Sequence, residues 1–267
     1  MDNVSESRRS ALLHGEITAG PLRLVWAEAP WDTVVLGHPV VQISRIEADL
    51  GARADDLAPF VVACEAGGVE LASCRLAHDR LRESMLLEEI GFRFIEMVYQ
   101  PEFACSEWTQ TGDERGLELV LASARDLPAI IELAGTAFGC ERFHMDPRLP
   151  SGLGDLRYQN WVRNCLEHPS QRLYALREAG DLVAFFVVEM LVDGTCYWHL
   201  NAVSPARQGM GYGLRAWRQM MHQAFKDGAR RVRTSIVARN HRVLNLYARL
   251  GFVFPAPSMT FHWVRSA

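Results

Sequence analysis

The stretch from Thr195 to Trp217 constrains this chain more than any other. An apolar run ends at Val203, and Ser204 and Pro205 break it. Gly209, Gly211 and Gly213 then open a segment whose apolar residues Leu214, Trp217, Met221, Ala224 and Phe225 recur at helical spacing. The pattern predicts a strand, a glycine-rich turn and a helix. Glycines let main chain approach a ligand closely, and the first N–H groups of a helix have no partner within it. Donors converging at the positive end of the helix dipole suit a phosphate or pyrophosphate. Taken alone, Gly-x-Gly-x-Gly fits a bare tight turn equally well.

A second segment sharpens the reading. From Asn240 the chain runs Asn-His-Arg-Val-Leu-Asn-Leu-Tyr-Ala-Arg-Leu-Gly-Phe, a short predicted helix stopped by Gly251. Gln208-Gly209-Met210-Gly211-Tyr212-Gly213 followed, one helix and one strand later, by Asn240, Tyr247, Gly251 and Phe252 resembles the GNAT superfamily of N-acetyltransferases. The likeness covers residues 117 to 264. Three positions before the first glycine, where that family usually has Gln or Arg, stands Ala206, with Arg207 and Gln208 next in line.

The resemblance implies acetyl-CoA as acyl donor. It places Arg207, Gln208, Gly209, Met210, Gly211, Tyr212 and Gly213 at the coenzyme phosphates, Asn240 and Asn245 near the pantetheine arm, and Asn201, Ala202 and Val203 beside the thioester. It also makes Tyr247 the general acid. A phenol of pKa about 10 facing a thiol of about 8.5 makes full proton transfer in water uphill by roughly 2 kcal/mol, so the expected role is a hydrogen bond that strengthens as thiolate charge develops. Alternation along the strand puts His199 on the side of Tyr197, Asn201 and Val203, which makes it the candidate base. Glu189 on the neighbouring strand is the competing carboxylate, and water is a third choice. Phe143, Tyr158 and Trp161 are candidate substrate contacts, although Tyr158 and Trp161 also sit at core-packing spacing.

Composition sets limits on other chemistries. The net charge of −4 argues against a broad nucleic-acid or anionic-membrane surface, and no apolar run approaches the roughly 20 residues of a membrane span. The histidines are dispersed and no Cys-x-x-Cys or His-x-x-x-His pair occurs, so no metal is expected. The six cysteines sit mostly in apolar segments and read as buried thiols, which fits a reducing, cytoplasmic setting. Residues 1 to 10 lack the apolar core of a signal peptide.

The 267 residues allow two modest domains. The expected fold class is α/β: a GNAT-type mixed, mostly antiparallel sheet flanked by helices, preceded by a smaller α/β domain. The expected boundaries are a mobile end at 1–20, an N-terminal domain at 21–108, a linker at 109–116 and the acetyltransferase domain at 117–267, closed by a strand through Met259, Phe261 and Trp263. Trp31 to Pro39 reads as a connecting loop. Sliding the chain on itself puts Gly91-Phe92 on Gly251-Phe252, Leu87 on Tyr247 and Arg80 on Asn240, which suggests a degenerate half-repeat. Coincidence between two ordinary strand-helix-strand units explains so short a match equally well.

Trp31-Asp32, Leu36-Gly37-His38-Pro39-Val40, Arg142-Phe143-His144, Tyr158 and Trp161 to Asn164 are similar to TDP-fucosamine acetyltransferase and its relatives. That likeness implies a nucleotide-linked amino sugar as acceptor and is compatible with a homodimer. Two alternatives stay open: transfer to another small amine or a protein amine, and a module that binds acyl-CoA without turnover.

Overall fold

The computed structural model describes residues 12–109 and 116–265. In chain order its strands are β1 (Gly15–Ala19), β2 (Leu22–Glu28), β3 (Val40–Ala48), β4 (Leu71–Ala77), β5 (Arg93–Tyr99), β6 (Glu102–Ala104), β7 (Glu118–Leu121), β8 (Gln171–Glu178), β9 (Asp181–Met190), β10 (Thr195–Val203), β11 (Arg231–Thr234), β12 (Ile236–Val237) and β13 (Ser258–Val264). The helices are α1 (Pro30–Leu36), α2 (Ala58–Ala66), α3 (Leu81–Glu89), α4 (Leu127–Ala137), α5 (Arg142–Met145), α6 (Leu153–Cys165), α7 (Tyr212–Lys226) and α8 (His241–Arg249). They form two compact units. One holds the described residues up to Met97 with Met145–Leu153 and the chain from Ala256; the other is Val98–His144 with Gly154–Pro255.

In the first unit the strands lie in the order β1-β2-β3-β4-β13-β5. Its core gathers Leu24, Trp26, Ile43, Phe60, Leu87, Phe92 and Phe261, every one of them buried. Three expectations are corrected here. Of the end expected to be mobile, residues 1–11 lie outside the described residues, but Gly15–Ala19 pairs antiparallel with β2. Trp31 to Leu36 is helix rather than loop. Pro30 fits the first turn, whose N–H groups need no helical partner, and Gly37 caps the end with its N–H bonded to the Thr33 carbonyl. The strand through Met259, Phe261 and Trp263, expected to close the acetyltransferase sheet, pairs instead with β4, from Ser258 opposite Ala77 to Val264 opposite Leu71. Most of the expected linker, residues 110–115, lies outside the described residues.

In the second unit the order is β6-β11-β10-β9-β8-β7, antiparallel except where β10 and β11 run parallel. One face of this sheet carries Trp198, Val203, Tyr212, Trp217 and Tyr247, so α7 and α8 cover it. The other carries Leu200, Ala202, Ile130, Tyr158 and Val162, so α4 and α6 cover that side. Helix α7 forms because Ala216, Trp217, Met220, Met221 and Ala224 fall on one stripe, and all five are buried.

The half-repeat is more extensive than the sequence match. A shift of 160 positions carries β4 onto 231–237 and α3 onto α8. Leu87 and Tyr247 carbonyls accept the N–H of Phe92 and Phe252, at 2.9 and 3.0 Å. Between each pair sits a glycine at positive φ, Gly91 and Gly251, where a side chain would be strained. Pairing registers repeat as well. Val98 and Tyr99 oppose Val237 and Ile236, and Glu102 to Ala104 oppose Arg233 to Arg231, just as β13 opposes β4. Each half of the chain therefore supplies a strand to the unit built mainly from the other half.

Candidate active site

Two irregularities in β10 create the site. Its parallel ladder with β11 extends only from Thr195 opposite Arg231 to Trp198 opposite Thr234. Thr234 closes the ladder by donating its hydroxyl to the Trp198 carbonyl at 2.9 Å, after which β12 turns to pair with Val98 and Tyr99. Among the described residues, main-chain groups of β10 beyond Trp198 thus pair with no strand on that edge, which leaves donors and acceptors aligned for an extended ligand.

The second irregularity is a bulge. Trp198 opposes Val188 and Leu200 opposes Val187, so His199 is an extra residue without a partner in β9. An extra residue inverts the alternation that follows. Cys196 and Trp198 face the α7 side, while Leu200 and Ala202 face the α4 and α6 side. The expectation that His199 and Asn201 share a face is therefore corrected. His199 turns toward Tyr197 and Trp161, with ring centroids 4.8 and 5.7 Å away, whereas Asn201 turns toward Tyr247. Simple alternation misses this because the strand contains one more residue than its partner needs.

Tyr247 is completely buried, against the rings of Trp198, Trp217 and Phe252. Its hydroxyl lies 3.5 Å from Asn201 Oδ1, a long bond whose proton is easily redirected. Burial pushes this phenol well above its ordinary pKa, opposed by hydrogen bonding to Trp217, Thr234 and Asn201. It is therefore a neutral donor throughout the physiological range.

On the opposite face His199 Nε2 meets Glu189 Oε2 at 2.8 Å, and Ser170 donates its hydroxyl to Glu189 Oε1 at 2.6 Å. The Ser170 bond is the largest influence holding Glu189 below the usual carboxylate range, with His199 adding to it against desolvation. An ionised carboxylate only accepts, so the imidazole proton sits on Nε2 and Nδ1 carries the lone pair. Burial lowers the His199 pKa and Glu189 opposes that shift.

The glycine turn takes the predicted form. Gly209 and Gly211 have φ of 80° and 85°, and Gly211 caps α7. Gln208, Gly209, Met210 and Gly211 are exposed. No atom lies within 4 Å of where a Gly211 side chain would stand, and only Arg242 Nη2 comes that close to Gly209, at 3.8 Å. Gly213 serves packing, since a β-carbon there would stand 3.4 Å from Leu246.

The side chains around this turn divide. Gln208 Nε2 donates to the Val203 carbonyl at 3.2 Å, and its Oε1 accepts from Arg242 at 3.1 Å. Arg207 reaches Asp181 at 2.9 Å and the Tyr212 hydroxyl, which bonds to Glu178, so these two side chains point into a surface network. Asn240 caps α8 by accepting the Val243 N–H, and Asn245 is exposed on that helix. Arg242 was overlooked in the sequence reading. The signal was present, a cation two places beyond the cap residue of the helix that faces the turn. Replacing Arg242 with Gln is expected to weaken coenzyme binding by about threefold to tenfold, the scale of one partly exposed charge-assisted contact, as read by calorimetry.

Of the predicted acceptor contacts, Tyr158 is buried and packs on Phe138 at 4.3 Å, so it belongs to the core. Phe143 is also buried. Trp161 remains half-buried beside His199, and its Nε1 donates to Gln171 at 3.1 Å. Cys196, on β10 itself, is pushed up to about 12 by burial and is no nucleophile. Among the described residues no cluster of three or more His, Cys, Asp or Glu could hold a metal ion, and no helix is long and apolar enough to cross a membrane.

Residues 127–252 match the acetyltransferase (GNAT) family. Over 137 residues the chain is 26% identical to the spore coat polysaccharide biosynthesis protein SpsD of Bacillus subtilis strain 168, covering 51% of this chain and 47% of SpsD. The chain thus spans about half the length of that curated relative. Among solved structures, a GCN5-related N-acetyltransferase from Kribbella flavida shares the fold at a TM-score of 0.61 and 16% identity, over 98% of this chain and 94% of that one. A tandem GNAT protein from the clavulanic acid biosynthesis pathway aligns at a TM-score of 0.58 and 13% identity, over 92% of this chain and 79% of that one. Both likenesses cover the first unit too, so the GNAT fold extends across the repeat. The fold is mixed α/β, with mostly antiparallel sheets flanked by helices.

Proposed function

We propose that this protein is an acetyltransferase that moves the acetyl group of acetyl-CoA onto a primary amine of a small molecule, by direct attack, and that the amine belongs to a nucleotide-linked amino sugar. The observation that carries the reading is the bulge at His199. It turns a carboxylate-held imidazole to one face of β10, and two residues on, Asn201 meets a buried phenol on the other.

Acetyl-CoA supplies an activated acyl thioester. The chain's residues fit it. The open glycine turn and Arg242 suit its phosphates, and the unpaired edge of β10 suits the amides of its arm. In this reading the main chain at Ala202 and Val203 polarises the acyl carbonyl. His199 Nδ1 takes the proton of the attacking amine while Glu189 stabilises the imidazolium that results. Tyr247 Oη hydrogen bonds to the departing sulfur. Trp161 beside His199 offers a flat face for a sugar ring, and the name of SpsD, polysaccharide biosynthesis, supports a sugar acceptor.

Free-thiol release measured with a panel of primary amines, including nucleotide-linked amino sugars, tests the proposal. At least one amine should give turnover. Because the His199 pKa is lowered from 6.5, the base is neutral above that depressed value and charged below it. Rate should therefore fall as pH drops through a value under 6.5, and His199→Gln should remove that acid limb along with most of the rate. An acid limb that survives in His199→Gln assigns the base elsewhere.

A further inference from the structure

The turn that leads from α6 into β8 meets His199 from two directions. Ser170, one residue ahead of β8, donates to Glu189 Oε1 at 2.6 Å, and Glu189 Oε2 meets His199 Nε2 at 2.8 Å. Gln171, the next residue, accepts from Trp161 Nε1 at 3.1 Å, and the Trp161 ring lies 5.7 Å from His199. The ladder explains the reach: Gln171 opposes Glu189 in the pairing of β8 with β9, so Ser170 lies on the diagonal. His168 pins the turn itself, because its Nδ1 accepts from the main-chain N–H of Ser170 at 3.4 Å and of Gln171 at 3.3 Å. The Ser170 hydroxyl also lies 3.3 Å from that nitrogen, but it has a single proton, and the shorter contact to an ionised carboxylate claims it.

These contacts decide which nitrogen of the base is free. A glutamate side chain has several torsions to settle and two equivalent oxygens, so a carboxylate held by histidine alone can swing away from it. Fixing one oxygen on Ser170 leaves the other aimed at Nε2. That keeps the imidazole proton on Nε2 and the lone pair on Nδ1, the tautomer that can take a proton from an amine. Resting on the reading of His199 as base, we infer that Ser170 is a positioning residue for the proposed transfer, acting through Glu189 to fix the orientation and tautomer of His199. Glu189 and His168 are the titratable groups that act on His199, while Tyr197 from its own strand and Trp161 from α6 present rings to it.

Two readouts on the full chain test this. The first is NMR of the histidine ring nitrogens above pH 6.5, where the depressed pKa leaves His199 neutral. The parent should show His199 as the Nε2–H tautomer, its signals assigned by their loss in His199→Gln. Ser170→Ala should lower the ratio of Nε2–H to Nδ1–H forms about fivefold or more, and Ser170→Thr, which keeps the hydroxyl, should restore it. Gln171→Leu frees Trp161 without touching Ser170 and should leave the ratio within about twofold of the parent. The second readout is kinetic. With an amine that gives turnover, Ser170→Ala should lower kcat about tenfold while KM for acetyl-CoA stays within about twofold. Glu189 raises the His199 pKa against burial, so a carboxylate released from its aim should let that pKa fall and move the acid limb to lower pH. In a Glu189→Ala background the same change should cost less than about twofold. An unchanged tautomer ratio overturns the inference, and so does full additivity with Glu189→Ala. An acid limb that stays in place or moves to higher pH also overturns it, the latter because Ser170 would then compete with His199 for the carboxylate rather than aim it. If no amine gives turnover, the acetyl-transfer reading fails, and the tautomer ratio alone still decides whether Ser170 positions His199.

Discussion

Tyr247→Phe is expected to lower kcat by about a hundredfold, near 2.7 kcal/mol of barrier, while acetyl-CoA affinity changes no more than about twofold. The substitution removes one oxygen and keeps the ring packed against Trp198, Trp217 and Phe252. It deletes the 3.5 Å contact to Asn201 and the hydroxyl's weaker interactions with Trp217 and Thr234, so stability should fall by about 1 kcal/mol. The donated hydrogen bond gains strength only as charge builds on sulfur, so its loss should appear in the chemical step rather than in binding. Thiol release at saturating acetyl-CoA, paired with calorimetry, separates the two. Proportionate loss of affinity and rate would mean that the phenol merely packs.

Removing residues 256–267 should cost the first unit its cooperative unfolding. The deletion strips β13 from β4, and with it Phe261, which is 1% exposed, and the buried Met259 and His262. A milder version isolates the apolar term. Phe261→Ala empties a site against the rings and chains of that core and is expected to destabilise by about 3 to 5 kcal/mol. Urea denaturation followed by circular dichroism reads either change. An unchanged midpoint for Phe261→Ala would show that β13 is a dispensable edge. The result also matters for dissection, because a fragment cut between the halves lacks a strand that its sheet requires.

Much of the second unit was legible because its signals are local. Glycines at positive φ, the apolar stripe of α7 and the cap at Asn240 announce themselves within a few residues. What was not legible depends on partners distant in sequence. Nothing near Ser258 says whether it will pair with β4 or with β11, because an alternating strand suits either. The bulge escaped for a related reason, since an extra residue is defined only by counting against the neighbouring strand. Helix α1 was a different kind of miss: Pro30 and Gly37 were both visible, but seven residues leave too little periodicity to outweigh a loop. Arg242 escaped because a lone arginine on a helix reads as solvated surface until the turn beside it is known.

The first unit has the same kind of bulge. There Trp26 opposes Ile43 and Val25 opposes Arg45, leaving Ser44 as the surplus residue. Serine in one half and histidine in the other occupy a slot that no ladder bond constrains. Such a position is open to change at little cost to the sheet. Under the proposed acetyl transfer, a lineage built on this scaffold is free to trade one recipient for another by altering that slot and its surroundings, while the proposed grip on the acyl carrier, written in glycines and main chain, is passed on intact.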